Sequence, residues 1–334
     1  MMAVPLSRFS ETTIDALSRA AGGGVEVRGA RLVVTPRSLD DARRVIAFAA
    51  GRGLWFGGER LVLDRSGLCY VGVVDARAMW IRCGAGAPVA AVEEALCRAR
   101  LTLGSQPPSV WAGTVADWLE GPYAGRRAMD GRLEPGVASV EAVLHDGTPL
   151  ATRAAPRSAA GPAVGQLILG GSGRCGVLLC ATLKARPLPR QLDHLALEGD
   201  AAQLARWLHE ALQQLLVPVE ARIVGGRRLE VACPAAGEDE IVVLQRHRRR
   251  ARELGLATSR CDPAPPPSGA EAELPAAALP GLVRAGGDVR LVRMARESVI
   301  AVGDVPASLP RAASHGDLLA RVATALVGPP PGTG

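Results

Sequence analysis

The residues best suited to chemistry lie between positions 156 and 189. A Pro/Gly-punctuated lead-in, Pro156-Arg-Ser-Ala-Ala-Gly-Pro162, passes through a short apolar run (Leu167, Ile168, Leu169) to glycines at 170, 171, 173 and 176. Glycine has no Cβ, so a phosphate or a flat ligand can lie against its bare main-chain N–H groups. The same residues also suit a tight turn between two buried strands, and the residues alone leave both readings open. Cys175 beside these glycines is either a thiol activated by its surroundings or an inert buried one. A second glycine pair, Gly57-Gly58, follows Phe56, and Arg157, Arg174 and Arg186 could pair with phosphates or an acidic substrate.

Other chemistry is poorly provided for. The seven cysteines (69, 83, 97, 175, 180, 233, 261) contain no CxxC pair and do not neighbour the five histidines, so no metal site is expected. His145, His194, His209, His247 and His315 form no HxH pattern; His145 reads as a turn residue before Asp146-Gly147, and His209 as part of a helix face. The basic run Arg246-His-Arg-Arg-Arg250 could meet a nucleic acid or an acidic partner. It lacks interleaved aromatics and sits on an apolar helical pattern, which favours a solvated helix face, and no nucleic acid is expected.

A chain of 334 residues predicts about two domains. Its residues are 48% hydrophobic but only 3% aromatic, so the core must be built from Ala, Val and Leu. Lys184 is the single lysine. Positive charge is therefore carried almost wholly by Arg, and arginine abundance says little about function. No apolar run is long enough to span a bilayer, and the unpatterned cysteines without a signal peptide point to the cytoplasm.

Several elements must position these residues. A helix over 10–21 is predicted from Ser10 and the stop at Gly22. A strand at 32–34, a helix from Ser38 carrying Ala42, Val45, Ile46 and Ala49, and a strand beginning at Leu54-Trp55-Phe56 form a βαβ unit. Strands follow at 61–63, 69–74 and 80–83, then a helix over 89–100, a loop over 121–136, and a strand over 137–144 turned by Asp146-Gly147. Beyond Pro189 the order is strand 194–197, helix 201–216, hairpin strands 221–224 and 229–232, and helix 238–255, a β-α-β-β-α series with ferredoxin-like character. A Pro-rich linker over 261–272, strands at 289–294 and 299–302, a helix over 316–326 and a disordered tail close the chain.

Taken in order, these segments resemble the FAD-binding domain of the vanillyl-alcohol oxidase and p-cresol methylhydroxylase (PCMH) superfamily, nearest its alkyldihydroxyacetonephosphate synthase and glycolate oxidase subunit branch. The resemblance runs over 33–189: Val33-Val-Thr-Pro-Arg-Ser38, residues 53–58, Arg82-Cys-Gly-Ala-Gly86, Leu101-Thr-Leu-Gly104, Pro107-Pro-Ser109 with Thr114 and Trp118, and finally Pro156 to Val177. It implies an α+β protein: a two-subdomain PCMH-type FAD-binding fold followed by a small ferredoxin-like α+β cap. The implied division is an N-terminal helical segment (1–30), the FAD-binding domain (31–190), a reduced cap or substrate domain (191–326) and the tail (327–334). The implied cofactor contacts are Phe56, Gly57, Gly58, Pro107, Ser109, Thr114, Gly125, Gly170, Gly171, Ser172, Gly173, Gly176 and Val177, around a non-covalent FAD. The implied activity is oxidation of a 2-hydroxy acid or alcohol, a small-molecule substrate, with the chain as one subunit of a complex or a homo-oligomer. No residue is assigned a catalytic role. The sequence departs from the family at Glu59-Arg60, at Ala116-Asp117, and at Ser172, Arg174 and Cys175. Those departures support the alternative, a catalytically inactive relative that serves as a binding or scaffolding module with degenerate flavin loops.

Overall fold

The computed structural model describes residues 9–312 apart from 23, 30, 55, 57–60, 130–131, 156–163, 215–216, 235–237 and 266–267. The expected helix 316–326, the tail, Gly57-Gly58 and the Pro156 to Pro162 lead-in therefore lie outside the described residues.

Helix α1 (Glu11–Ala20) is capped by Ser10, whose hydroxyl accepts from the Thr13 N–H at 3.2 Å. Strands β1 (Gly24–Arg28) and β2 (Arg31–Thr35) pair antiparallel; α2 (Leu39–Ala50) then crosses over, and β3 (Leu61–Leu63) pairs parallel to β2. The βαβ unit expected from the sequence is present, but its second strand lies at 61–63. Residues 54 and 56 are outside any strand. Phe56 is instead buried with Leu32, Val34, Val45 and Ile46, so its apolar character serves the core without a ladder.

After a 3₁₀ turn at Arg65–Leu68 come β4 (Val71–Asp75), β5 (Trp80–Gly84), α3 (Val89–Arg98), β6 (Leu101–Thr102), α4 (Pro108–Ala112) and α5 (Val115–Glu120). Next are β7 (Arg126–Met129), β8 (Arg132–Pro135), β9 (Val137–Leu144), β10 (Pro149–Ala151), β11 (Gly176–Lys184) and β12 (Arg186–Pro187). The main sheet here runs β10-β9-β11-β5-β4, with β11 buried along nearly all its length at the centre. The loop expected over 121–136 instead contains the β7–β8 hairpin. Its inward group is Arg127, 3% exposed, which donates to Glu134 at 2.6 and 3.0 Å and to the Lys184 carbonyl at 3.0 Å. A hairpin closed by a buried ion pair has no apolar alternation to read. Val143, Val177 and Leu179 from this sheet pack into the first core, joining the two layers.

The remainder is one antiparallel sheet with helices on one face. Its elements are β13 (Leu192–Glu198), α6 (Ala201–Gln213), β14 (Glu220–Val224), β15 (Arg228–Pro234), α7 (Glu238–Glu253), β16 (Ala257–Arg260), β17 (Glu271–Pro275), α8 (Leu279–Ala285), β18 (Asp288–Val292) and β19 (Ser298–Gly303). The strand order is β16-β13-β15-β14-β18-β19-β17. Leu204, Trp207 and Leu208 of α6, Leu244 of α7 and Leu282 of α8 pack on Leu195, Ile223, Val231 and Leu291 of the sheet. Residues alternating with these point to the other face. That face carries Glu220, Arg222, Arg290, Glu271 and Glu273, beside an apolar patch of Val292, Ile300 and Val302 covered by Tyr123. The stretch expected to be linker through 272 enters β17 at Glu271.

Candidate functional site

The short helix α5 organises the region that the sequence singles out. It begins with a capping box: the Thr114 hydroxyl accepts from Asp117 N–H at 3.2 Å, and Asp117 Oδ2 accepts from the Thr114 N–H at 2.8 Å and hydroxyl at 2.7 Å. Val115, Ala116, Trp118, Leu119 and Glu120 are all buried, so six residues hold as a helix through packing.

Its last carbonyls have no partner within the helix. Two separate loops supply them. Gly125 N–H donates to the Trp118 carbonyl at 3.0 Å, Gly170 N–H to Leu119 at 2.8 Å, and Ser172 N–H to Glu120 at 3.0 Å. Both loops are left-handed at these points: φ is 49° at Ala124 and 61° at Gly125, and 70°, 50° and 74° at Gly170, Ser172 and Gly173. A left-handed φ at Ser172 is strained for a residue with a Cβ, and the bond to Glu120 holds it.

The Glu120 side chain works inward. Its carboxylate accepts from Arg65 at 2.8 Å on each oxygen and from the Leu178 N–H at 2.9 Å. Arg65 is held because Gly86 lets its carbonyl approach closely; a Cβ on Gly86 would overlap that oxygen. His145 donates from Nε2 to the Gly173 carbonyl at 2.7 Å, and burial holds the imidazole below its ordinary pKa. Cys175 is 8% exposed, and burial pushes its thiol pKa up, which makes it the inert alternative.

A third cluster joins these loops to the seven-stranded sheet. Glu271 of β17 accepts from the Ser109 N–H at 2.7 Å, the Ser109 hydroxyl at 2.5 Å and the Tyr123 hydroxyl at 2.9 Å. Arg293, 1% exposed and with φ 45°, places its guanidinium 5.0 Å from the Tyr123 ring centre and 2.9 Å from Glu273, which also accepts from Ser298 at 2.7 Å. Burial and the Glu271 charge raise the Tyr123 phenol pKa, so the hydroxyl stays protonated as the donor.

The sequence-derived positions thus separate. Gly125, Gly170, Gly171, Ser172 and Gly173 gather around the end of α5. Ser109 and Thr114 are nearby, but their donors are committed to Glu271 and Asp117. Pro107 caps α4 and is buried, and Phe56 and Val177 are core residues whose side chains face inward. A Cβ on Gly176 would lie 2.6 Å from the Val143 carbonyl, so this glycine serves sheet packing. Sequence reasoning missed Glu120, Glu271 and Arg293. The alternation Glu271-Ala272-Glu273-Leu274 is a strand signal that could have found β17, whereas nothing local marks Glu120 or Arg293 as paired.

Residues 30–153 match the family described as FAD binding domain. The fold is similar to that of alkyldihydroxyacetonephosphate synthase, with a TM-score of 0.63 at 14% identity, covering 88% of this chain and 74% of that one. The fold is thus of the kind seen in that synthase, and residues 30–153 are similar to an FAD-binding domain. p-Cresol methylhydroxylase, in a structure with substrate bound, is similar at a TM-score of 0.57 and 13% identity, over 94% of this chain and 82% of that one. An uncharacterized FAD-linked oxidoreductase, YgcU of Escherichia coli (strain K12), is 31% identical over 128 residues, 37% of this chain and 26% of that protein. The match thus spans about a quarter of that relative's length.

The fit of FAD to this region rests on main chain. The left-handed turns at 124–125 and 170–173 bring backbone together without bulky side chains. Trp118 Nε1 and Gln106 Oε1 are buried beside the first of these turns without a hydrogen-bond partner among the described residues, the Gln106 amide reaching the Arg126 carbonyl at 3.4 Å. Such atoms are what a bound polar group would satisfy. No group of three or more His, Cys, Asp or Glu residues suited to a metal occurs among the described residues.

Proposed function

We propose that this protein is an oxidoreductase-like protein that binds FAD without a covalent bond and oxidises a 2-hydroxy acid or alcohol as one subunit of a complex. The observation that carries the reading is the pair of left-handed loops hung from the end of α5, the first of them inside the stretch that matches the FAD-binding family. Gly125, Gly170, Gly171, Ser172 and Gly173 would hold the cofactor through main chain; Phe56, Gly57, Gly58 and Pro107 are the further contacts that the sequence leads one to expect. Bound FAD would supply two-electron oxidation, and the protein's part is to place and shield it. Tyr123, Glu271 and Arg293 fix the junction against which a substrate would be positioned. The seven free thiols suit a cytoplasmic setting, and no helix among the described residues is long and apolar enough to cross a membrane.

A second reading, a catalytically inactive binding or scaffolding module, is favoured by one specific observation. Ser109 and Thr114, two of the expected cofactor contacts, already spend their donors on Glu271 and Asp117. One absorbance spectrum separates the two readings. The first expects a yellow protein that releases FAD on denaturation and loses it in Gly173→Val, because φ at 173 is 74°. A colourless protein that does not rebind added FAD would establish the second. Anaerobic reduction by a panel of 2-hydroxy acids then tests the substrate class.

A further inference from the structure

The basic run on α7 divides into two sets. Arg250 is tied to Glu210 at 2.5 and 2.8 Å and to Glu253 at 2.9 Å, and Arg249 to Glu253 at 3.3 Å. Arg248 instead joins Arg252 and Arg260 around a cavity of about 290 Å³, walled also by Leu195, Thr258 and Ser259. One carboxylate is shared by two of these three guanidiniums: Asp193 stands 3.5 Å from Arg248 and 3.9 Å from Arg260. Arg252 makes no ion pair among the described residues; its Nε donates to the Arg248 carbonyl at 3.4 Å. Three cations against one anion leave the cavity positive.

Beside it is a sheet edge that is free among the described residues. There strand β16 pairs only with β13, and its four residues are all exposed. The Cys261 N–H donates to the His194 carbonyl at 3.1 Å. Alternation along an antiparallel ladder then turns the N–H and C=O of Thr258 and Arg260 outward. An arginine on an edge can serve simply to repel pairing, but that role calls for no cavity. On α7 the apolar Ile241 and Val242 are also exposed, at 42% and 46%, with Val242 about 15 Å from Arg252 by helical rise.

We propose that this rim receives an acidic, extended segment of a partner polypeptide, added to β16 as a further strand with its carboxylates in the Arg248, Arg252 and Arg260 cavity. Alternate side chains of an added strand share one face, so acidic residues two apart would meet the guanidiniums while the main chain completes the ladder. The cofactor reading has no part in this inference.

The test titrates the full chain with a fluorescein-labelled heptapeptide, acetyl-Glu-Val-Glu-Thr-Glu-Val-Glu-amide, by anisotropy, alongside its alternately N-methylated analogue and heparin. Joint Arg248→Ser, Arg252→Ser and Arg260→Ser should weaken binding at least tenfold. Thr258→Pro, which removes an outward N–H but no ladder bond, should do the same, whereas Thr258→Ala should change it less than twofold. Amide exchange at Thr258 and Arg260 should slow in the complex. The N-methylated peptide gives an independent answer if Thr258→Pro folds poorly, and it should bind at least tenfold more weakly. Absence of binding would overturn the proposal. So would equal binding of the N-methylated peptide, or heparin binding alone without protection at Thr258.

Discussion

His145 ties the turn at Asp146 to the glycine loop through its Gly173 hydrogen bond, and it sits there in surroundings that disfavour its charged form. Burial holds its folded pKa below the ordinary 6.5. Its stabilising contribution is therefore complete above that value and is lost as pH falls through the folded pKa. Melting temperature should fall as pH is lowered below about 6.5, and less so in His145→Gln, which offers a neutral donor; an identical fall in both proteins would dismiss the idea. From the sequence His145 reads only as a turn residue, because its partner lies 28 positions away. The glycines at 170 and 173 are legible for the opposite reason: a left-handed backbone restricts the residue type at its own position. Glu120 shows the limit, since a buried carboxylate announces neither its burial nor Arg65, 55 positions distant.

At the scale of elements, α5 is stabilised from both ends, by the Thr114 capping box and by the loop amides that close its last turn. Thr114→Ala should cost about 1 kcal/mol, read as a lowered urea midpoint with an unchanged slope, while an unshifted midpoint would mean that packing alone holds the helix. The βαβ unit was legible because Ser38 caps α2, with Oγ accepting from Asp41 N–H at 3.1 Å, and the buried Ala42, Val45, Ile46 and Ala49 recur at helical spacing. Leu54-Trp55-Phe56 misled because burial and strand pairing leave the same apolar mark. The β7–β8 hairpin and β16 escaped notice because one is closed by Arg127 and Glu134 and the other is a short exposed edge.

Across the whole molecule, Glu271 is where the segment around Ser109 and Tyr123 meets the seven-stranded sheet. Tyr123→Phe should cost about 2 kcal/mol, the worth of a hydrogen bond to a charged group. Combined with Ser109→Ala the two losses should be non-additive, because both donors share one carboxylate. Strictly additive urea-unfolding energies would show that the shared acceptor does not couple them. The sequence indicated two kinds of architecture on either side of Pro189, but not this junction, since no local pattern records which residues of one part face the other. The end of α5 carries a further consequence. Trp118, Leu119 and Glu120 are consecutive, and their carbonyls bear both the turn at 125 and the turns at 170 and 172. A slide or tilt of this six-residue helix must displace the two loops along the same vector, as two arms fixed to one shaft. Their fluctuations are geared together, and whatever rests across both feels a single stiffness set by the seating of one helix.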